Sequence, residues 1–212
     1  MIVAEAVGRY LAELRAAPDP VLAEMEAHAA RDGIPIVVPC TGALLQVLAM
    51  ACAAERVLEV GTAIGVSTLY IARALPPTGK IVSFEIDEQR HAAARDYLER
   101  AGVLDRADLR LEDARTGIAS LEGEFDMAFV DGVKAEYSQY LDRVLPLLRS
   151  GGVLAVDNVL MNGTVAENRS DGLWSEEQIA TARALNERLI RDPRLASAVT
   201  PVGDGVLVAA VR

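Results

Sequence analysis

The segment Val57-Leu58-Glu59-Val60-Gly61-Thr62-Ala63-Ile64-Gly65-Val66-Ser67 constrains this chain more than any other. An apolar run carries one acid, two glycines bracket three residues, and a helical pattern continues over residues 66–75. This is the signature of a strand, a tight turn and a helix N-terminus. Glycine lets backbone approach a ligand closely, and the free N–H groups of a first helical turn favour an anion. The spacing is E-x-G-x-x-x-G, not the G-x-G-x-x-G of dinucleotide sites, whose middle glycine admits a pyrophosphate. A carboxylate suits this turn better, and a nucleotide-cofactor oxidoreductase is disfavoured. The plain alternative is an ordinary glycine-bearing strand-to-helix turn that binds nothing.

Beyond the turn, strand and helix patterns alternate. Strands are predicted at 57–60, 80–85, 107–112, 127–131 and 152–157, with helices near 66–75, 88–101, 116–121 and 137–148. The continuous apolar runs 128–130 and 153–156 read as parallel strands buried on both faces. Such alternation predicts an α/β fold with a doubly wound sheet. A polar loop is expected over 159–171, a helix over 175–191, and a closing hairpin over 198–211, turning at Val202-Gly203-Asp204-Gly205. Residues 1–31 read as two helices broken at Pro18-Asp19-Pro20, and residues 36–39 as extended. A helix from Thr41 is expected to bury Leu44, Val47, Leu48 and Ala51. One domain is expected over 1–212, with 1–40 as a helical extension and 41–212 as the core.

Composition excludes some functions. The 212 residues are 51% hydrophobic, which argues against disorder. A net charge of −10 argues against a nucleic-acid partner. No apolar stretch is long enough to span a membrane, and no leader pattern opens the chain. The two cysteines, Cys40 and Cys52, sit in apolar surroundings, read as small buried side chains, and offer no zinc spacing. A soluble cytoplasmic protein is expected. Only His28 and His91 occur, neither at a strand end, so a Ser-His-Asp set is absent. Four of the five tyrosines fall at helical positions and read as packing. Trp174, beside the polar loop, is expected at the mouth of the site or as a packing anchor.

Ligands of open α/β sheets bind beyond the carboxyl ends of the strands. Acids stand at or near four of those ends: Glu59, Glu85, Asp131 and Asp157. Glu85 is spaced to accept both hydroxyls of a ribose. Asp113 could accept an adenine amino group, with the Ala114 N–H beside it; a helix N-cap role competes evenly. Asp131, Asp157 and Asn158 end neighbouring strands. Two carboxylates and an amide suit a hard divalent cation, Mg²⁺ before Zn²⁺.

The glycine motif resembles the first motif of S-adenosylmethionine (SAM) methyltransferases. With Val130-Asp131-Gly132-Val133-Lys134, the stretch from Asp157-Asn158 to Thr164-Val165 and the ending Pro201–Val206, the chain resembles the metal-dependent O-methyltransferases of the catechol and caffeoyl-CoA type over nearly its whole length. The resemblance implies a Rossmann-like, mostly parallel seven-stranded sheet with a C-terminal antiparallel hairpin. It implies Asp131, Asp157 and Asn158 as ligands of Mg²⁺, with Mn²⁺ or Ca²⁺ as alternatives. It implies cofactor contacts from Val37, Glu59, Gly61, Ser67, Glu85 and Ala114, joined by Thr62, Asp113 and Asp131. Lys134 matches a catalytic base, working beside Asp131, and Asn162 a substrate-side position. The implied substrate is a small vicinal diphenol, and the implied assembly a homodimer. Val133 departs from the pattern, since many relatives carry a second acid there. A metal-independent methyltransferase and a non-catalytic SAM-binding protein stay open as alternatives.

Overall fold

The structure, a computed structural model, describes residues 4–212. Seven strands form one sheet: β1 (Arg56–Val60), β2 (Lys80–Glu85), β3 (Ala107–Leu111), β4 (Phe125–Val130), β5 (Leu148–Val156), β6 (Leu195–Thr200) and β7 (Val206–Val211). Their order is β3-β2-β1-β4-β5-β7-β6. The first five are parallel, and β7 runs antiparallel to both β5 and β6. The doubly wound sheet with its C-terminal hairpin is therefore present.

Nine helices accompany it among the described residues. They are α1 (Glu5–Glu13), α2 (Pro20–Asp32), α3 (Pro39–Ala51), α4 (Val66–Ala74), α5 (Glu88–Arg100), α6 (Ala114–Gly117), α7 (Tyr137–Val144), α8 (Thr164–Glu167) and α9 (Glu176–Arg191). None is long and apolar enough to cross a membrane. The predicted start of the first helix at residue 1 lies outside the described residues. The helix predicted over 116–121 is the four-residue α6 continued by a 3₁₀ turn. The one predicted to end at 148 stops at Val144, where a 3₁₀ turn holding Pro146 begins. The polar loop after Val159 contains α8.

The sheet separates two cores because strand side chains alternate in direction. Leu58, Val60, Phe84, Phe125 and Val130 pack with α7 and α9 on one face. Val57, Ile81, Met127 and Phe129 pack with α2 to α5 on the other. Phe84, Phe125 and Phe129 are fully buried, each worth roughly 1.5–3 kcal/mol on burial. Helix α3 is turned from its expected setting: it buries Thr41, Gly42, Leu45 and Ala49, while Val47 is 60% exposed. The reason lies at Gly42. A Cβ there would lie 2.4 Å from the Tyr70 ring, so the glycine face is the one that can meet α4. Cys40 is exposed at the first turn of α3, against expectation, and Cys52 is partly buried.

Candidate active site

The carboxyl ends of β1, β2, β4 and β5 open on one cleft of about 1610 Å³. A single small ligand occupies about 300–1,000 Å³, so this cleft has room for two. Of the residues singled out in the sequence, Val37, Gly61, Thr62, Ser67, Glu85, Asp113 and Ala114 line it. So do Asp131, Lys134, Asp157, Asn158, Asn162 and Trp174. Glu59 does not: it is fully buried behind the turn.

The turn after β1 has a physical cause. Gly61 has φ +96°, and a Cβ on it would lie 2.3 Å from the Asp131 carbonyl oxygen. Only glycine permits this conformation and this contact. The Gly61 and Thr62 N–H groups donate to the Phe84 carbonyl at 3.1 Å, tying the turn to β2. Glu85 closes it from the other side. Its Oε2 accepts from the Ala63 N–H at 2.7 Å, and its Oε1 from Ile86 and Asp87 at 2.8 and 2.9 Å. Three backbone donors fix the carboxylate and leave one of its four acceptor positions, on Oε2, for a ligand's hydroxyl.

Asp113 caps α6 through the Arg115 N–H at 2.8 Å, and its carboxylate also grips the Arg115 guanidinium, the shortest contact being 2.6 Å. Arg115 holds it below the usual carboxylate range. The N-cap reading is thus present, and the carboxylate is committed to Arg115. Ala114 opens the same helix at the cleft wall.

The other corner is ionic. The strands end one residue earlier than predicted, at Val130 and Val156, and Asp131 and Asp157 come directly after them. Their N–H groups still donate to Val60 at 2.9 Å and Val130 at 3.1 Å, extending the ladder to the site. Asn158 continues with φ +59°, a conformation asparagine tolerates better than most residues. Lys134 Nζ donates to Asp131 Oδ1 at 2.6 Å, to the Tyr137 hydroxyl at 2.7 Å and to the Gly132 carbonyl at 3.3 Å. The Tyr137 hydroxyl reaches the Asp157 carbonyl at 3.3 Å. Burial, with the charges of Asp131 and Asp157, drives its pKa well above the usual value. Burial and the Asp131 charge push the Asp157 carboxyl up to about 7. Two acids that repel each other across a buried corner form a site a cation would relieve. Among the described residues no group of three or more His, Cys, Asp or Glu side chains could hold a metal. The oxygen-bearing side chains lining this corner of the cleft include the carboxylates of Asp131 and Asp157 and the amide of Asn158, the chemistry that a hard cation takes.

Tyr137, Arg115 and Asp204 join the cleft or its frame, although the sequence read Tyr137 as packing and Asp204 as a turn residue and left Arg115 unmentioned. Asp204, in the hairpin turn, accepts from the Asn162 N–H at 3.1 Å and adds negative charge near Asp157. The hairpin turn was legible, but not that it meets the segment after β5, where Val159 and Leu160 donate to the Gly205 and Asp204 carbonyls.

Known proteins resemble this chain over nearly its whole length. Residues 12–211 match the model of a family described as O-methyltransferase. A catechol O-methyltransferase of Niastella koreensis is 34% identical over 191 residues, covering 87% of this chain and 85% of that protein. The O-methyltransferase TomG of Streptomyces achromogenes, solved with SAM and involved in tomaymycin synthesis, superposes with a TM-score of 0.84. It is 30% identical, with 97% of this chain and 96% of that one covered. An O-methyltransferase of Bacillus cereus, solved with S-adenosylhomocysteine (SAH), gives 0.85 at 29% identity, covering 98% and 97%. This chain belongs to the O-methyltransferase family.

Proposed function

We propose that this enzyme transfers the methyl group of SAM to one hydroxyl of a small vicinal diphenol, with a divalent cation held by Asp131, Asp157 and Asn158. The observation that carries the reading is the shared cleft: the turn at Gly61, the Glu85 carboxylate and the paired acids Asp131 and Asp157 all border it. On this reading the free acceptor position of Glu85 takes a ribose hydroxyl. Ser67 and the first turn of α4 take the cofactor's carboxylate, as helix N-termini do. The Val37 segment and Ala114 close around the rest. SAM supplies a sulfonium methyl group that is already reactive, so the protein's task is to aim and deprotonate an oxygen.

Holding both reactants in line contributes up to roughly 7–11 kcal/mol in ideal geometry. A hard cation would hold two adjacent hydroxyls and lower the pKa of one. Lys134 Nζ spends three N–H groups on Asp131, Tyr137 and Gly132, so it would receive the acceptor's proton after giving up one of its own, a loss that a cation held on Asp131 would favour. Lys134 and the ion would share Asp131, whose Oδ1 the lysine now occupies. Trp174 and Asn162 border the acceptor's end of the cleft.

Methyl transfer from labelled SAM to a panel of diphenols, with EDTA and then with Mg²⁺ added back, tests this. Activity lost to EDTA and restored by Mg²⁺ is expected. Full turnover in EDTA would remove the metal and leave Lys134 as the cation of that corner.

A further inference from the structure

Arg115 joins two walls of the cleft. It follows Asp113 and Ala114, and its Nη2 donates to Asp113 Oδ2 at 2.6 Å. Its Nη1 pairs with Glu136 Oε1 at 2.8 Å. Glu136 closes a 3₁₀ turn, Lys134–Glu136, that begins with the lysine of the ionic corner. The other Glu136 oxygen accepts from the Tyr140 hydroxyl. Tyr140 is buried, and a Cβ on Gly132 would lie 2.9 Å from its ring. The two oxygens of Glu136 thus hold the turn from two directions.

Lys134 needs such fastening. Its contacts to Asp131, Gly132 and Tyr137 all fall within three residues of it along the chain. They fix the amine to its own segment, not the segment to the wall at Asp113 and Ala114. The Tyr137 hydroxyl anchors that segment toward β5. Arg115 anchors it toward α6. Both partners of the Arg115–Glu136 pair are partly exposed, so the pair adds little to stability. Its value lies in aim, since a small displacement of a reacting group costs rate steeply.

We infer that Arg115 and Glu136 are positioning residues: by pairing α6 with the Lys134–Glu136 turn, they set the place of the Lys134 amine relative to a cofactor bound against Asp113 and Ala114. The inference rests on the reading of SAM and Lys134 given above.

Turnover of a diphenol, SAH affinity by calorimetry and melting temperature, all on the full chain, test it. Glu136→Gln keeps an acceptor for Tyr140 and loses the charge. It should lower kcat about fivefold, the upper range for such a pair, with the Kd for SAH and the melting temperature near wild type. Arg115→Met should lower kcat similarly, and the two together should cost no more than one, because they remove the same contact. In Lys134→Ala, Glu136→Gln should leave the residual turnover unchanged, because its effect passes through the amine. A loss that persists there in full marks a merely structural role and overturns the proposal. So does an unchanged kcat in Glu136→Gln. A wild-type chain that methylates no diphenol, or a Lys134→Ala chain as active as wild type, overturns the underlying reading and this inference with it.

Discussion

The two ends of the cleft are built from different material. The end at Gly61 and Glu85 is made of strand termini and one turn, and its polar groups are tied to backbone or to buried hydroxyls. The end at Asn162 and Trp174 is made of short turns and the hairpin loop. Helix α1 buries none of its side chains, and Leu11 and Leu14 are half exposed or more although they border the cleft. A wall anchored in a sheet holds one geometry, whereas a wall of loops can change its side chains at small cost. The first end suits an invariant reagent, and the second suits a choice among acceptors.

Substitutions can break this contrast. Lys134→Ala has the largest expected effect: turnover should fall about a hundredfold, a typical loss for a removed general base, while SAH affinity stays near wild type. An equal loss in both would place Lys134 among the cofactor's contacts. Next, Trp174→Ala should raise the KM of a diphenol about tenfold and leave the KM of SAM nearly unchanged. A matched rise in the two constants would mean the ends are not separable.

The smallest effect sharpens the comparison between two buried acids, one at each end. Burial pushes both Glu59 and Asp157 up to about 7. The unfolded chain loses these protons at about pH 4, while the folded chain keeps them until about 7. The folded state therefore binds more protons in that window, and the metal-free protein should lose stability as pH rises through it. Melting temperature should drop by several degrees between pH 4.5 and 7.5. Asp157→Asn should flatten the part of the slope that added Mg²⁺ also removes, and a slope untouched by either would show that Asp157 ionises normally.

Much of this was readable in the residues. Runs such as Ala128-Phe129-Val130 announce strands covered on both faces, and the acids after them mark the edge where ligands bind. The turn at Gly61 announces a close approach. Side-chain direction was harder. Glu59 was read as a contact because it sits in the motif, yet period-two alternation sends it to the face shared with Ser83. Only the pairing register shows that partner. The face of α3 was misjudged because Leu44, Val47 and Leu48 are apolar, while the contact that decides the setting is a bare Gly42 against Tyr70. Asp204 lies far along the chain from Asn162, and the link between them is a fact of topology.

Gly61 leaning on the carbonyl of Asp131 has a consequence for how such an enzyme can change over generations. The donor's pocket and the ionic corner share a seam of bare backbone with no slack, so a shift on one side is transmitted to the other. New acceptor preferences can therefore accumulate around the rim, while the seam admits almost no variation, and diversification of this catalyst is confined to its outer walls.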